Sequence, residues 1–236
     1  MSTASAMILL FLTFIFAALE WAAEYKSIRW LIYLSKPAMM LSLIAWVWTY
    51  SDLPSLLGNI STFPLLWFVV ALAFCLVGDV FLMLPERFFL PGLVAFLVGH
   101  IFYIAGFGGV FPPPGTYLPG ALVALLVFIT GAGVYRRLAQ GMEASGNTRM
   151  KIPVSIYALI ISIMLYSALT TLLDDQWHYT SALWVSAGAL FFCVSDIMNA
   201  WVRFVGPITN ARVKIMLTYH LAQIALALGA ALHFAV

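Results

Sequence analysis

The sequence predicts an all-α polytopic membrane protein with eight transmembrane helices. Of its 236 residues, 64% are hydrophobic and only 8% are charged, and the mean hydropathy is +1.04. Soluble domains carry about 25% charged residues, so this composition excludes that class. The chain also divides into apolar stretches of about 20 residues, the length of helix that crosses the hydrocarbon core of a bilayer.

Turn-forming residues or charges separate these stretches. The run PPPG at 112–115 and the Gly-Pro pair at 206–207 are examples, since Pro and Gly mark turns. We predict transmembrane helices over residues 6–23, 28–48, 64–84, 88–107, 117–138, 152–173, 181–201 and 213–235. The connections are short, which favours a single transmembrane domain over residues 1–236.

Lys and Arg are concentrated in alternate connections, as the positive-inside rule describes. The odd-numbered connections carry Lys26, Arg29, Arg87, Arg136, Arg137, Arg149, Lys151, Arg203, Arg212 and Lys214. The even-numbered ones carry none of these residue types and hold Asp52, Asp174 and Asp175. We therefore expect a multi-pass protein with cytoplasmic odd connections and both termini outside the cytoplasm. The compact connections favour a bacterial inner membrane.

The few remaining charges and the cysteines exclude other classes. A net charge of +2 gives no concentrated basic face, so we predict no nucleic-acid partner. Cys75 and Cys193 both lie in apolar stretches, which predicts buried thiols rather than a disulfide or a zinc cluster.

The two halves of the chain show a weak internal similarity. Three marks recur at nearly the same offset, namely Pro37 and Pro153 (116), Asp79 and Asp196 (117), and His100 and His220 (120). Four helices per half is an even number, so the halves, about 1–115 and 116–236, would share one orientation. Chance similarity between apolar segments is the alternative.

Six ionisable residues stand out within the predicted helices, away from the basic ends, and call for an explanation. They are Glu20, Lys36, Asp79, His100, Asp196 and His220. A charge at the bilayer centre costs about 2.5 to 3.5 kcal/mol even on a lenient scale. At about 1.5 Å per residue, four of them lie at a similar depth, with His100 nearer the midplane and Glu20 shallower. We expect Glu20 at the interface and the others around one polar cavity that opens toward the cytoplasmic leaflet.

Simpler roles remain open for each of these residues. Lys36 could extend to the lipid headgroups. Either histidine could be a hydrogen-bonded core residue, and Asp79 and Asp196 could form structural ion pairs between helices.

The motif GDVFLML at 78–84, followed by Phe89, Gly92, Phe96, Gly99, His100 and Tyr103, resembles the central signature of the YhhN-like lysoplasmalogenase family. Further matches follow in family order, namely Lys36, Pro37, Tyr157, Met164, residues 188–191, Ser195, Asp196, Tyr219 and Gln223. The resemblance covers nearly the whole chain. Residues 198–200 are more polar than the apolar run that is usual for the family there.

This resemblance implies an integral-membrane hydrolase that cleaves the vinyl ether bond of lysoplasmalogens. The products are a fatty aldehyde and a glycerophospho-base. The implied substrate is a lysophospholipid among membrane lipids, and neither a cofactor, a metal nor a protein partner is implied.

Vinyl ether hydrolysis requires a proton donor to the alkenyl carbon and stabilisation of an oxocarbenium-like cation. A carboxylic acid and a carboxylate supply both functions in glycosidases. We predict Asp79 and Asp196 as the catalytic pair, with acid and base unassigned. Lys36 would tune them or bind phosphate. The predicted supporting residues are His100, Tyr103, Asn199, Tyr219, His220 and Gln223.

Two other functions fit part of the pattern. Tandem halves with intramembrane carboxylates are also typical of a small proton-coupled transporter. A metal-dependent lipid hydrolase could use the histidines and aspartates as ligands, although no His-x-x-x-His or Glu-x-x-His spacing is present.

Overall fold

Eight long α-helices make up the part of the protein that the structure describes. The computed structural model describes residues 3–52 and 63–235. The helices are α1 (Thr3–Lys26), α2 (Arg29–Tyr50), α3 (Phe63–Met83), α4 (Phe89–Gly106), α5 (Tyr117–Ala144), α6 (Lys151–Thr170), α7 (Tyr179–Phe204) and α8 (Ala211–Phe234). Short 3-10 turns cover Glu86–Phe88, Thr148–Met150 and Thr171–Leu173. All eight helices are long and apolar enough to cross a membrane, which confirms the predicted fold class. Membrane orientation stays a prediction.

The helix ends differ most from the predicted spans in α5. This helix continues to Ala144, six residues past the predicted end at 138, because the residues that follow are mostly good helix formers. Two residues later Gly146 adopts a φ of +74°, a left-handed conformation that terminates helices and suits glycine. Arg136, Arg137 and Glu143 therefore all lie on α5, whereas Arg149 lies in the 3-10 turn and Lys151 begins α6.

The helices pack mainly as sequential pairs around α8. In its most apolar stretch of 18 residues, 67% of the residues are buried inside the protein, against 11% in that of α5. Gly188 on α7 and Gly229 on α8 allow these two helices to approach closely, since a Cβ at either position would lie within 2.9 Å of a backbone oxygen of the other helix. Small residues at such contacts are typical of membrane helices. Helix α5, which has few buried residues, lies at the periphery of the helix bundle.

Candidate active site

The carboxylate of Asp79 is held by two donors from other helices. Its Oδ1 lies 3.0 Å from the Nζ of Lys36 on α2, and its Oδ2 accepts a hydrogen bond of 2.6 Å from the hydroxyl of Tyr219 on α8. The Asp79 and Lys36 side chains are only 1% and 7% exposed. Lys36 therefore does not extend to the headgroups, and both carboxylate oxygens are fixed in place.

Asp196 on α7 belongs to a second set of contacts. The Tyr157 hydroxyl donates a short hydrogen bond to its Oδ2, and the Nε2 of His100 lies 3.6 Å from the same oxygen. His100 Nε2 is also 2.9 Å from the Tyr157 oxygen. Because that hydroxyl gives its single proton to Asp196, it accepts from His100, so Nε2 carries a proton. The Asp196 side chain is 20% exposed.

The two sets have corresponding positions in the two halves of the chain. Asp79 on α3 is held from α2 and α8, whereas Asp196 on α7 is held from α6 and α4. Exchanging the halves would map α2 to α6, α3 to α7 and α4 to α8, so the two sets use corresponding helices but different donor residues. Tandem halves stay a prediction.

Both aspartates line one cavity of about 380 Å³. Its polar lining residues include Lys36, Asp79, Tyr157, Asp196, Asn199 and Tyr219. Most of the remaining wall is apolar and comes from one face each of α5, α6 and α7. Along α6 the wall runs from Val154 to Leu169, a length of about 22 Å. The carboxylates thus face a long apolar slot that the peripheral helix α5 closes on one side.

Four predicted supporting residues lie in the helical core, outside the described lining of this cavity. His100 reaches Asp196 as described above. The Tyr103 hydroxyl donates a hydrogen bond of 2.6 Å to Gln223 Oε1, which joins α4 to α8. His220 packs against the Trp21 ring, with centroids 6.0 Å apart, and its ring nitrogens have no hydrogen-bond partner among residues 3–52 and 63–235.

The expectation of an interfacial Glu20 is wrong. Its side chain is fully buried, and its Oε2 accepts a hydrogen bond of 3.0 Å from Ser35 on α2. Helix α1 continues to Lys26, so Glu20 lies six residues, about 9 Å, from the helix end. The predicted end at residue 23 placed it too near the surface.

Tyr157 is a site residue that the sequence reasoning missed. It was recognised only as a position of the family resemblance, although its hydroxyl joins His100 to Asp196. A usable signal was its position four residues after Pro153, one helical turn deeper than the repeated proline.

The two cysteines have the environment that the sequence predicts. Cys75 and Cys193 are buried free thiols, as predicted. Within the described ranges, no three His, Cys, Asp or Glu side chains are grouped so that they could hold a metal ion.

Fold and site together define a polytopic helical membrane protein with two carboxylates on one apolar cavity. Residues 31–230 match the model of the YhhN family, so the chain belongs to this family, as the motif at 78–84 indicated. No solved structure matches the chain.

Curated relatives carry a common name. The chain is 34% identical to the lysoplasmalogenase TMEM86B of Mus musculus over 201 residues, which cover 85% of this chain and 76% of that protein. It is 37% identical to the Homo sapiens lysoplasmalogenase TMEM86B over 161 residues, which cover 68% and 61%. It is 29% identical to the lysoplasmalogenase of Mycobacterium tuberculosis over 170 residues, which cover 69% and 59%. The chain thus matches less than two thirds of the length of the latter two.

Proposed function

We propose that this protein is a membrane hydrolase that cleaves the vinyl ether bond of lysoplasmalogens to a fatty aldehyde and a glycerophospho-base. The observation that carries the proposal is a pair of aspartates, held by different donors, on one largely apolar cavity. The relatives named lysoplasmalogenase support this substrate. The slot suits the single chain of a lysolipid, and the polar residues suit its reacting end. On the predicted topology the cavity opens to the cytoplasmic leaflet.

Asp79 has contacts that favour the charged form of its carboxylate. An ammonium group lies 3.0 Å from one oxygen and a hydroxyl donates to the other. Such a fixed negative charge in an apolar cavity is suited to stabilising a developing cation. We assign Asp79 to this electrostatic role.

Asp196 is better placed to transfer a proton. Its contacts with Tyr157 and His100 within the described chain both involve Oδ2, which leaves Oδ1 for the substrate. This side chain is also the more exposed of the two aspartates. We assign Asp196 as the general acid, with Tyr157 and His100 holding its carboxyl group in position.

The reaction then balances with one recycled carboxyl group. Asp196 gives a proton to the alkenyl carbon that is not bonded to oxygen, and an oxocarbenium ion forms. Water adds to the carbon bonded to oxygen while the Asp196 carboxylate accepts one water proton, which restores the acid. The resulting hemiacetal breaks its bond to the glycerol oxygen, and its hydroxyl proton moves to that oxygen, which gives aldehyde and alcohol.

Aldehyde release by the purified protein in detergent tests the proposal. We expect wild type to cleave a lysoplasmalogen but not the saturated alkyl ether of the same length, which has no alkenyl carbon to protonate. Asp196→Asn should lower kcat by about 10²- to 10⁴-fold through loss of the acid. Asp79→Asn should lower it by about 10²- to 10³-fold through loss of charge stabilisation.

Asp175→Asn is the matched control, because Asp175 is an exposed residue of the connection between α6 and α7. It should retain wild-type turnover. Near-normal turnover by either Asp79→Asn or Asp196→Asn would refute the two-carboxylate mechanism. Absence of cleavage by wild type, together with uptake of lysolipid into liposomes, would instead favour the transporter.

A further inference from the structure

One arginine lies at the rim of the cavity without a role in the chemistry above. Arg203 is on the last turn of α7, and its guanidinium stacks 3.7 Å from the ring centroid of Phe89, which lines the cavity. Its Nη2 also lies 2.7 Å from Glu86 Oε1. Because 33% of the Arg203 side chain is exposed, this cation can be reached from outside the protein.

The residues between Arg203 and the carboxylate belong to the same helix face. Asp196, Asn199 and Arg203 are spaced i, i+3 and i+7, so they follow one another along one side of α7. Asp196 and Asn199 both line the cavity. The rise from Asp196 to Arg203 is about 10 Å along the helix axis.

We propose that Arg203 binds the phosphodiester of the substrate headgroup while the vinyl ether lies at Asp196. This inference rests on the proposed function and names how that site recognises its substrate. Six bonds of about 1.5 Å separate the oxygen-bearing alkenyl carbon, which water attacks, from phosphorus, and they span roughly 7 Å when extended. A P–O bond of about 1.5 Å and a hydrogen bond of about 2.8 Å to the guanidinium bring the total to about 11 Å, close to the rise of about 10 Å along α7.

The present partner of Arg203 is one that phosphate can replace. Glu86 is 84% exposed, and exposed ion pairs contribute little to stability. Stacking on Phe89 holds the guanidinium plane at the rim, and a guanidinium matches phosphate geometry with two parallel hydrogen bonds. Glu86 therefore keeps the arginine in position until a phosphate takes its place.

Binding of non-cleavable lipids to the purified full-length protein in non-ionic detergent tests this role. The probes are a 1-O-alkyl-glycerophosphocholine and the phosphate-free 1-O-alkylglycerol of the same chain length. We expect Arg203→Ala to raise the Kd of the alkyl-glycerophosphocholine about 10- to 100-fold, because a charge-assisted hydrogen bond is lost. The Kd of the alkylglycerol should stay unchanged. Glu86→Gln should lower the Kd of the phospholipid.

Arg212→Ala is the matched control, since Arg212 is an 81% exposed cation at the start of α8, on the same side of the helix bundle. It should change neither Kd. Equal losses for both probes in Arg203→Ala would show a structural role and overturn the proposal. An effect seen only in liposomes of anionic lipid, not in detergent, would overturn it in favour of contact with bulk lipid.

The same variants distinguish failure of this inference from failure of the proposed function. Binding of the two probes does not require cleavage. Their Kd values therefore test the headgroup site even where no aldehyde is released. Where turnover is measured, Arg203→Ala should raise KM for the phosphorylated substrate and leave kcat almost unchanged. A lower kcat with an unchanged KM would contradict the assignment.

Discussion

Replacing Lys36 by methionine tests whether Lys36 and Asp79 form an interdependent pair. Each single substitution, Lys36→Met or Asp79→Asn, leaves one buried polar group without its partner. Loss of one member of a buried ion pair costs about 3 to 5 kcal/mol. In a chain of this size about 1 kcal/mol corresponds to 2 to 4 °C in Tm. We therefore expect each single variant to unfold about 6 to 20 °C below wild type.

The double variant separates stability from catalysis at the same position. With both partners removed, no unpaired charge stays buried, so Lys36→Met with Asp79→Asn should recover most of the lost stability. It should not recover aldehyde release, because the negative charge at position 79 is still absent. Thermal unfolding in detergent and the turnover assay, run on the same preparations, measure the two effects independently.

An exposed ion pair provides the control for this cycle. Glu143→Gln disrupts the contact with Lys151, in which the glutamate side chain is 59% exposed, and should cost under about 1 kcal/mol. Single variants within 2 °C of wild type, or a double variant as unstable as the sum of the singles, would refute the reasoning from burial. A double variant with near-normal turnover would refute the role of Asp79.

Two further substitutions address the second carboxylate and the wall of the cavity. Tyr157→Phe removes the hydroxyl between His100 and Asp196 and should lower kcat about 10- to 100-fold, as measured by aldehyde release; unchanged turnover would contradict its positioning role. Gly141→Ala places a Cβ against a backbone carbonyl oxygen of α7 and should lower Tm by about 2 to 12 °C. Gly133→Ala, where a Cβ meets open space, should leave Tm unchanged. Equal Tm shifts would contradict the close approach of α5 and α7.

The eight helices were predictable because crossing a bilayer imposes a length and a composition that are visible without any contact. The pairing of Lys36 with Asp79 was accessible for a related reason, since depth along a helix follows from counting residues. What counting does not provide is the rotation of each helix about its axis. That rotation decides which side chains reach the cavity.

Tyr157 and Glu20 show the two ways in which this information was missing. A tyrosine in an apolar helix has no evident need of a partner, and only the orientation of α6 against α7 brings its hydroxyl to Asp196. Glu20 was misplaced because the apolar stretch ended at residue 23 while the helix itself continued to Lys26. Apolar length and helix length are separate quantities, and the second depends on packing.

The hydrogen bond between Tyr103 and Gln223 has a consequence for the origin of the chain. These positions are 120 residues apart, the same offset as the two matched histidines. Positions that correspond in two copies of a helix can touch each other only near the axis that relates the copies. On the prediction of tandem halves, this axis passes between α4 and α8, and an ancestral chain of four helices would have assembled there as a symmetric dimer.

After gene duplication, the two aspartates would no longer have needed identical neighbours. Lys36 lies beside Asp79, whereas the corresponding position in the second half, 116 residues later, is Ile152. A homodimer must give both aspartates the same neighbours, but a fused chain can change one copy alone. The duplicated chain can therefore give its two aspartates different roles, one as a charge and one as a proton carrier. A symmetric dimer of the ancestral chain could not.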